Sequence, residues 1–530
     1  MDDQQQRVNE EDSGEAAEGQ RNLKPANSNP WYILATVHGE QDGEYFDKEL
    51  HQKNRRTWNR WMSAALNEGT RTALIEKHGV DPGDLRPVAQ HDLGEIEQLT
   101  AERLAFKELA LPDPGNPGEP AVIDFELVDF AQHLISDGFV FPGKARFYGA
   151  TFRNQARFDG ATFSKGAAFD GATFRDVALF GGATFRNHAG FLGATFRGST
   201  HFEGATFRDV VVFEDATFES SATFYGATFR DAALFAGATF RGVGFQYAIF
   251  MDRAVFGDAT FRSATFDGAT FRNEGAFHGA SFTIRARFDR AIFRGGAWFS
   301  GATFKGSAGF GHVTFASTTS FDEARFGESP DFRDARFPFS TTWRRVPWPP
   351  PRRRTAASDV EHYASLRHAM DVAKRPDAEL VFFVLEMQAR RYTDIPLLQK
   401  LAINIHLGLA DGGRSLGRPA LAWLLAFVLA FLVEGVTLAP GVFAIPSPLA
   451  FEVMRLSLGS AIIIGAPMFD PRKLEQLRLS LPHLTGQPEL PAGLSPLPDW
   501  LQLLGVAHAG FSALCLFLMA LAIRNWLRLR

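Results

Sequence analysis

From Phe147 to Phe337 one large apolar residue recurs every five or six positions, and each position that keeps this spacing is phenylalanine. The run opens Phe147, Phe152, Phe158, Phe163, Phe169, Phe174, with the two gaps alternating. Gly-Ala-Thr-Phe ends at residues 152, 163, 174, 185, 196, 207, 229, 240, 271 and 304. Ala usually stands two places before Phe, as in Ala172-Thr173-Phe174 and Ala178-Leu179-Phe180. Helical faces recur every 3.6 residues and strand faces every 2, so neither element explains the pattern. Short extended segments joined by corners do, if each segment turns one side chain inward. Four such segments make a coil of about 20 to 22 residues, and Phe then stacks on Phe of the next coil at about 4.8 Å.

Small Ala beside each ring leaves it room, Gly serves the tight corner, and Thr suits an extended, outward position. The 36 spaced Phe from 147 to 337 give nine coils, or a rod of about 43 Å. At 235–250 and 256–271 gaps of five run together. The longer segments therefore read as pentads with one extra corner residue. Composition agrees: 52 Phe against 7 Tyr and 9 Trp means one side chain used repeatedly in one environment. Phe152, Phe163, Phe174, Phe185, Phe196 and Phe207 are read as a structural ladder.

On these residues the chain resembles the pentapeptide-repeat proteins. Ala at −2 and a large apolar centre match that family's A-(D/N)-L-x-x unit, with Phe replacing Leu. It departs in the extra residue of every second unit and in Gly or Asp before Ala. The resemblance implies a right-handed quadrilateral β-helix; spacing alone does not fix the hand. The flanks resemble a bacterial subgroup with a Trp-Tyr segment and an Asn-Arg-Arg-x-Trp-Asn-Arg-Trp helix, here Asn54 to Trp61, before the repeats and a membrane hairpin after them.

Outside the repeats the pattern predicts a mixed chain. Residues 1–30 are polar and acidic and are expected to be disordered. Residues 31–120 read as a small α-rich domain and linker. Trp31 to Val37 is a strand or buried entry segment, helices run from Lys48 to Asn67 and from about Leu93 to Leu109, and 111–120 is a Pro/Gly linker. The solenoid is assigned 121–340, and a basic, Pro-rich linker 341–357. A helical neck, 358–418, holds helices to about Lys374, over Asp377 to Tyr392 and over Pro396 to Ala410. Ser358-x-x-Glu361 is taken as the capping box of the first.

Residues 419–530 read as a membrane hairpin. Pro419 to Leu438 and Leu503 to Ile523 are each long enough to cross a bilayer core of about 30 Å. Arg414 and Arg418 precede the first span, and Arg524, Arg528 and Arg530 follow the second. By the positive-inside rule both termini face the cytoplasm, as expected for the inner membrane of a bacterium. Leu449 to Pro467 between the spans is a candidate re-entrant helix.

Candidate chemistry is sparse. Glu434 and His508 reach similar depth in the hairpin, where ionisable groups are costly, and form a candidate intramembrane pair; snorkelling to the interface is the plainer account. Arg344, Arg345, Arg352, Arg353 and Arg354 are candidate contacts to anionic lipid. Arg follows Thr-Phe at 153, 175, 186, 197, 208, 230, 241, 262 and 272. Residues 147–337 carry 20 Lys+Arg and 19 Asp+Glu, a net of +1. A solvated, salt-bridged face is thus expected, and no nucleic-acid partner. No cofactor is expected, and no metal or catalytic spacing occurs; the sole cysteine, Cys515, lies mid-span. The expectation is a non-enzymatic, membrane-anchored scaffold with membrane lipid and an unknown protein as partners. The alternative is a homo-oligomer whose hairpins form a channel-like pore.

Overall fold

The structure is a computed structural model, and it describes residues 22–43, 46–105, 108–117, 119–372, 376–411, 415–438 and 499–528. It divides into two compact units, residues 1–349 and 350–530.

The first unit is a parallel β-solenoid with a helical cap. Each coil lays two-residue strands on those of the coil before it, so Thr173–Phe174 pairs with both Thr151–Phe152 and Thr195–Phe196. The register repeats every 22 residues, and the Phe side chains fill the interior in four columns. One column runs Phe130, Phe152, Phe174, Phe196, Phe218, with centroids 4.5–4.7 Å apart and planes within 5°. The others pass through Phe147–Phe169, Phe158–Phe180 and Phe163–Phe185 with the same parallel stacking. Between columns the rings meet edge to face, as Phe158 does Phe169 at 5.6 Å. Each stacked or edge-on pair adds roughly 0.5–1.5 kcal/mol beyond burial. The flanking Ala172, Ala178 and Ala183 are wholly buried.

The Gly-Ala-Thr-Phe motif follows from the corner. In Phe147-Tyr148-Gly149-Ala150 the Ala150 N–H donates back to the Phe147 carbonyl at 3.1 Å. The third residue of that turn is left-handed, with φ of +61° at Gly149 and +65° at Gly160. The gaps of five have a local cause too. Thr217–Thr223, seven residues, carries a register shift against Thr239–Gly244, six residues. One residue is missing at that corner, and the strand runs straight through it. The same happens in Thr260–Thr265, and the bulge returns in Ser281–Arg287.

The solenoid is longer than the Phe run at both ends. Phe125 stacks on Phe147 at 4.9 Å, and Phe130 on Phe152. At the far end Trp343 stacks on Phe321 at 4.4 Å and Trp348 on Phe326 at 5.6 Å. Residues 341–349, expected to begin a linker, instead complete the last coil.

Four helices form the cap on the first coil, with α2 (Lys48–Met62) against the coil itself and α1 (Pro30–Ala35), α3 (Glu68–His78) and α4 (Gln90–Ala105) completing the cap. The segment at Trp31, expected as a strand or buried entry, is buried but helical, with Asn29 Oδ1 accepting from Trp31 and Tyr32 N–H. Helix α2 ends at Met62, and α3 was not foreseen. An end coil leaves its backbone groups without a coil to bond, which invites edge pairing. Here α2 supplies the partners. Trp58 Nε1 donates to Val140 O at 2.9 Å, Asn59 Nδ2 donates to Gly138 O at 3.0 Å, and Asn59 Oδ1 accepts from Val140 N at 2.8 Å. Trp58, wholly buried, lies 5.2 Å from Phe139 and 5.4 Å from Phe141. Below the cap, Lys24–Pro25 adds a short parallel strand against Val128–Asp129.

The second unit, described by itself, holds α5 (Ala356–Val372), α6 (Pro376–Arg390), α7 (Leu397–Ala410), α8 (Gly417–Leu438) and α9 (Asp499–Arg528). Helix α5 begins two residues before the expected Ser358 cap. Thr355 stands before it, its carbonyl accepting from Asp359 N and its hydroxyl donating to Asp359 Oδ2 at 2.8 Å. Buried Glu386 on α6 is bracketed by Arg367 and Arg390, each at 2.8 Å. Among the described residues, no helix is long and apolar enough to cross a membrane. The described side chains stop at Leu429 in α8 and run from Ala507 to Arg524, save Ala509, in α9.

Two outcomes follow. Phe207→Ala should lose about 3–5 kcal/mol by chemical denaturation, and Phe207→Leu less than half of that, because Leu refills most of the void. Second, His51 donates from Nε2 to Asp137 O at 3.1 Å and stacks on Phe139, and burial lowers its pKa. The folded chain therefore binds fewer protons there than the unfolded chain. Stability should fall as pH drops below about 6.5, and His51→Gln should blunt that fall in melts at pH 7 and 5.

Candidate interaction surface

With the interior filled by phenylalanine, the chemistry of the solenoid lies on its outer faces and corners. Carboxylates occupy the corners, where they bind the backbone. Gly181 N–H donates to Asp159 Oδ1 at 2.7 Å, Leu192 N–H to Asp170 at 3.0 Å, and Gly311 N–H to Asp289 at 3.0 Å. Each donor lies 22 residues on, one coil away. A Cβ at Gly190 would lie 2.5 Å from the Asp170 carboxylate, so glycine there makes room for the acid. Asp209 and Asp231 are likewise engaged by their own chain, accepting from Val210 N and Ala232 N at 2.8 and 2.7 Å.

The arginines after Thr-Phe are placed differently. They form rows one coil apart: Arg153, Arg175, Arg197 on one face and Arg186, Arg208, Arg230 on another, the latter set by the pairing Phe185 with Phe207 and Phe207 with Phe229. Arg153 binds Asp129 at 2.8 Å. Among the described residues, no ion pair involves Arg186, Arg230, Arg241, Arg262 or Arg272. Further ion pairs stand at the corners, such as Arg157 with Asp137 and Arg287 with Asp267, both 2.7 Å. Burial, then repulsion from Arg186 and Arg230, disfavours the charge on Arg208.

Where the second arginine row meets the cap there is a pocket of about 320 Å³. Ser164, Lys165, Arg186, Asn187 and Arg208 line it from the solenoid, and Asn67 and Thr70 from the start of α3. A different corner carries the exposed Tyr225 and Tyr247, their rings 5.6 Å apart and edge to face. Tyr247 has φ of +57°, a left-handed position that most coils give to Gly.

The six ladder residues, Phe152 through Phe207, are buried at 1 % exposure or less. Of the basic cluster, Arg344 gives its N–H to Asp322 at 2.7 Å and Arg345 reaches Glu323 at 3.0 Å, so both belong to the last coil. Arg352 gives its N–H to Asp359 at 3.2 Å, and Arg353 and Arg354 are exposed. His508 is buried on α9, whereas the Glu434 side chain lies outside the described residues, as does the whole of 449–467. Cys515 is buried on α9. No group of His, Cys, Asp or Glu that could hold a metal occurs among the described residues. The sequence did not single out the pocket or the tyrosine pair, because both depend on which coil neighbours which.

Stacked two-residue strands, four ring columns and a closed end define a β-solenoid, a protein-interaction scaffold type of fold. The repeats themselves place it further: residues 137–184, 180–228, 224–270 and 299–346 match the family model described as pentapeptide repeats (9 copies), so this stretch of the chain is a pentapeptide-repeat solenoid. No curated protein and no solved structure matches the chain.

The corner carboxylates make a prediction. Burial, then the neighbouring Asp137, raises the pKa of Asp159. Its charge is therefore a net cost to the folded state above that raised pKa, and the cost fades as pH falls and both states become protonated. Asp159→Asn keeps an acceptor for Gly181 N–H, so it should raise Tm at pH 7, with the gain gone near about pH 3.

Proposed function

We propose that the protein is a membrane-anchored, non-enzymatic scaffold whose solenoid presents a rigid surface to a protein partner. One observation carries this. The interior holds stacked rings and the strand amides bond coil to coil, so only outward side chains are left to act. Tyr225 and Tyr247 mark the contact patch. Tyr is enriched among residues that dominate binding energy, and both rings are exposed and packed edge to face.

The membrane anchor is supported by exposed apolar surface in the second unit. Leu421, Leu424, Leu425, Val428 and Leu429 of α8 are exposed, as are Leu397, Leu398 and Leu401 of α7 and Phe517 of α9. Exposed apolar patches of this extent mark protein or membrane contacts. The arginines flanking the two expected spans orient both termini to the cytoplasm.

Tyr247→Gly should leave Tm unchanged or raised while abolishing capture of the partner that co-purifies with the full chain; capture at the parental level would refute the patch. In the same preparations the full chain should stay in the membrane pellet at alkaline pH. Release into the supernatant would refute the anchor, and a strict monomer by native mass measurement would exclude the pore.

A further inference from the structure

The pocket beside the cap has features that neither the fold nor the scaffold reading uses. Its volume of about 320 Å³ falls at the small end of the range that holds small-molecule ligands. Three cations, Lys165, Arg186 and Arg208, stand on one wall, and among the described residues no lining side chain is a carboxylate. Ladder pairing holds Arg186 and Arg208 on adjacent coils, about 4.8 Å apart at the backbone. That separation lies well inside the ~10 Å over which salt screens charge, so the two repel. Ser164 Oγ, one coil before Arg186, is buried with no hydrogen-bond partner among the described residues. Across the pocket stands the first turn of α3, whose Thr70 N–H is held by Asn67 at 2.7 Å.

Three cations on one wall, a buried hydroxyl with no partner among the described residues and no carboxylate among the described lining side chains suit a ligand group with negative charge and several acceptors. We propose that this pocket binds the phosphoryl group of a small polar ligand, with Arg186, Arg208 and Lys165 as its cationic contacts and Ser164 and Asn187 as hydrogen-bonding partners. Bidentate contact from the planar Arg guanidinium suits the multiply charged oxygens of a phosphoryl group. A small ligand fits better than a nucleic acid. A strand needs a continuous basic track, and the solenoid from 147 to 337 nets only +1.

The test titrates the detergent-extracted full chain with pyrophosphate in low salt by calorimetry, and with phosphatidylcholine vesicles carrying phosphomonoester headgroups by flotation. Saturable one-to-one binding of pyrophosphate is expected. Lys165→Gln, an exposed position, and Arg186→Gln should each weaken it at least tenfold without lowering Tm. Arg294→Gln, on the same face but outside the pocket, should leave it unaltered. Flotation that is lost in Lys165→Gln, without pyrophosphate binding, would uphold the phosphoryl site and identify a lipid as its carrier. Absence of saturable binding in both arms, or an equal loss in Arg294→Gln, would overturn the proposal.

Discussion

The rise of one coil and the thickness of one benzene ring nearly coincide, and the structure depends on that coincidence. Parallel strands pair at about 4.8 Å, and ring centroids within a column lie about 4.5–5.2 Å apart through most of the solenoid. Backbone pairing and ring stacking thus satisfy each other without strain, coil after coil. Phe174, Phe196 and their equivalents can sit in one rotamer at one depth, which is why substitution within the run is absent from 147 to 337. A mixed aliphatic core would pack as well in one coil. The ring column adds register, because a slip of one residue would replace Phe with Thr along a whole side.

The same constraint makes the ends the weak points, since the last ring and the last amides of a stack have no neighbour. The N-terminal end is met by a helix that imitates a strand: Asn59 donates to Gly138 and accepts from Val140, as a further coil would. The remaining residues of that segment hold the helix in place. Asn54 binds His38 N and Gly39 O, Arg55 and Arg56 reach Asp84, Arg60 reaches Asp92, and Trp61 donates to Pro112 O. The C-terminal end is met by Trp343 and Trp348, whose larger faces cover two columns.

Much of this was legible because one environment repeats. The Phe spacing gave the coil, the four columns and the corner glycines. It also extended further than the Phe run shows: Phe125, Phe130, Phe141 and Phe147 keep the spacing backward across Ser136, and Trp343 and Trp348 keep it forward. The cap was harder. Trp31 to Val37 is too short an apolar run to separate strand from buried helix, although Asn29-Pro30 signalled a helix start. Helix α3 had both punctuation marks, Asn67 before it and Gly79 after it at φ +63°, but little amphipathic pattern between them. The pocket was not legible at all. It needs Arg186 beside Arg208 and both beside Asn67, and only the 22-residue register together with the docking of α3 brings them there.

Net charge conceals what the register separates. Nearly equal numbers of acids and bases along a repeat suggest a neutral, cross-linked surface. In the folded coil the two signs have different tasks. Acids such as Asp159, Asp170 and Asp289 fall at corners, where an amide of the next coil points at them, and their acceptor capacity is spent on the backbone. Arginines after Thr-Phe fall on the flat faces, where the backbone groups are already paired and nothing local needs a donor. A sequence with a net of +1 therefore builds faces on which Arg186, Arg230, Arg241, Arg262 and Arg272 form no ion pair among the described residues, and the local field follows from position within the coil rather than from the sum. The proposed contacts use outward positions that depart from the repeat, Lys165 and Tyr247 among them.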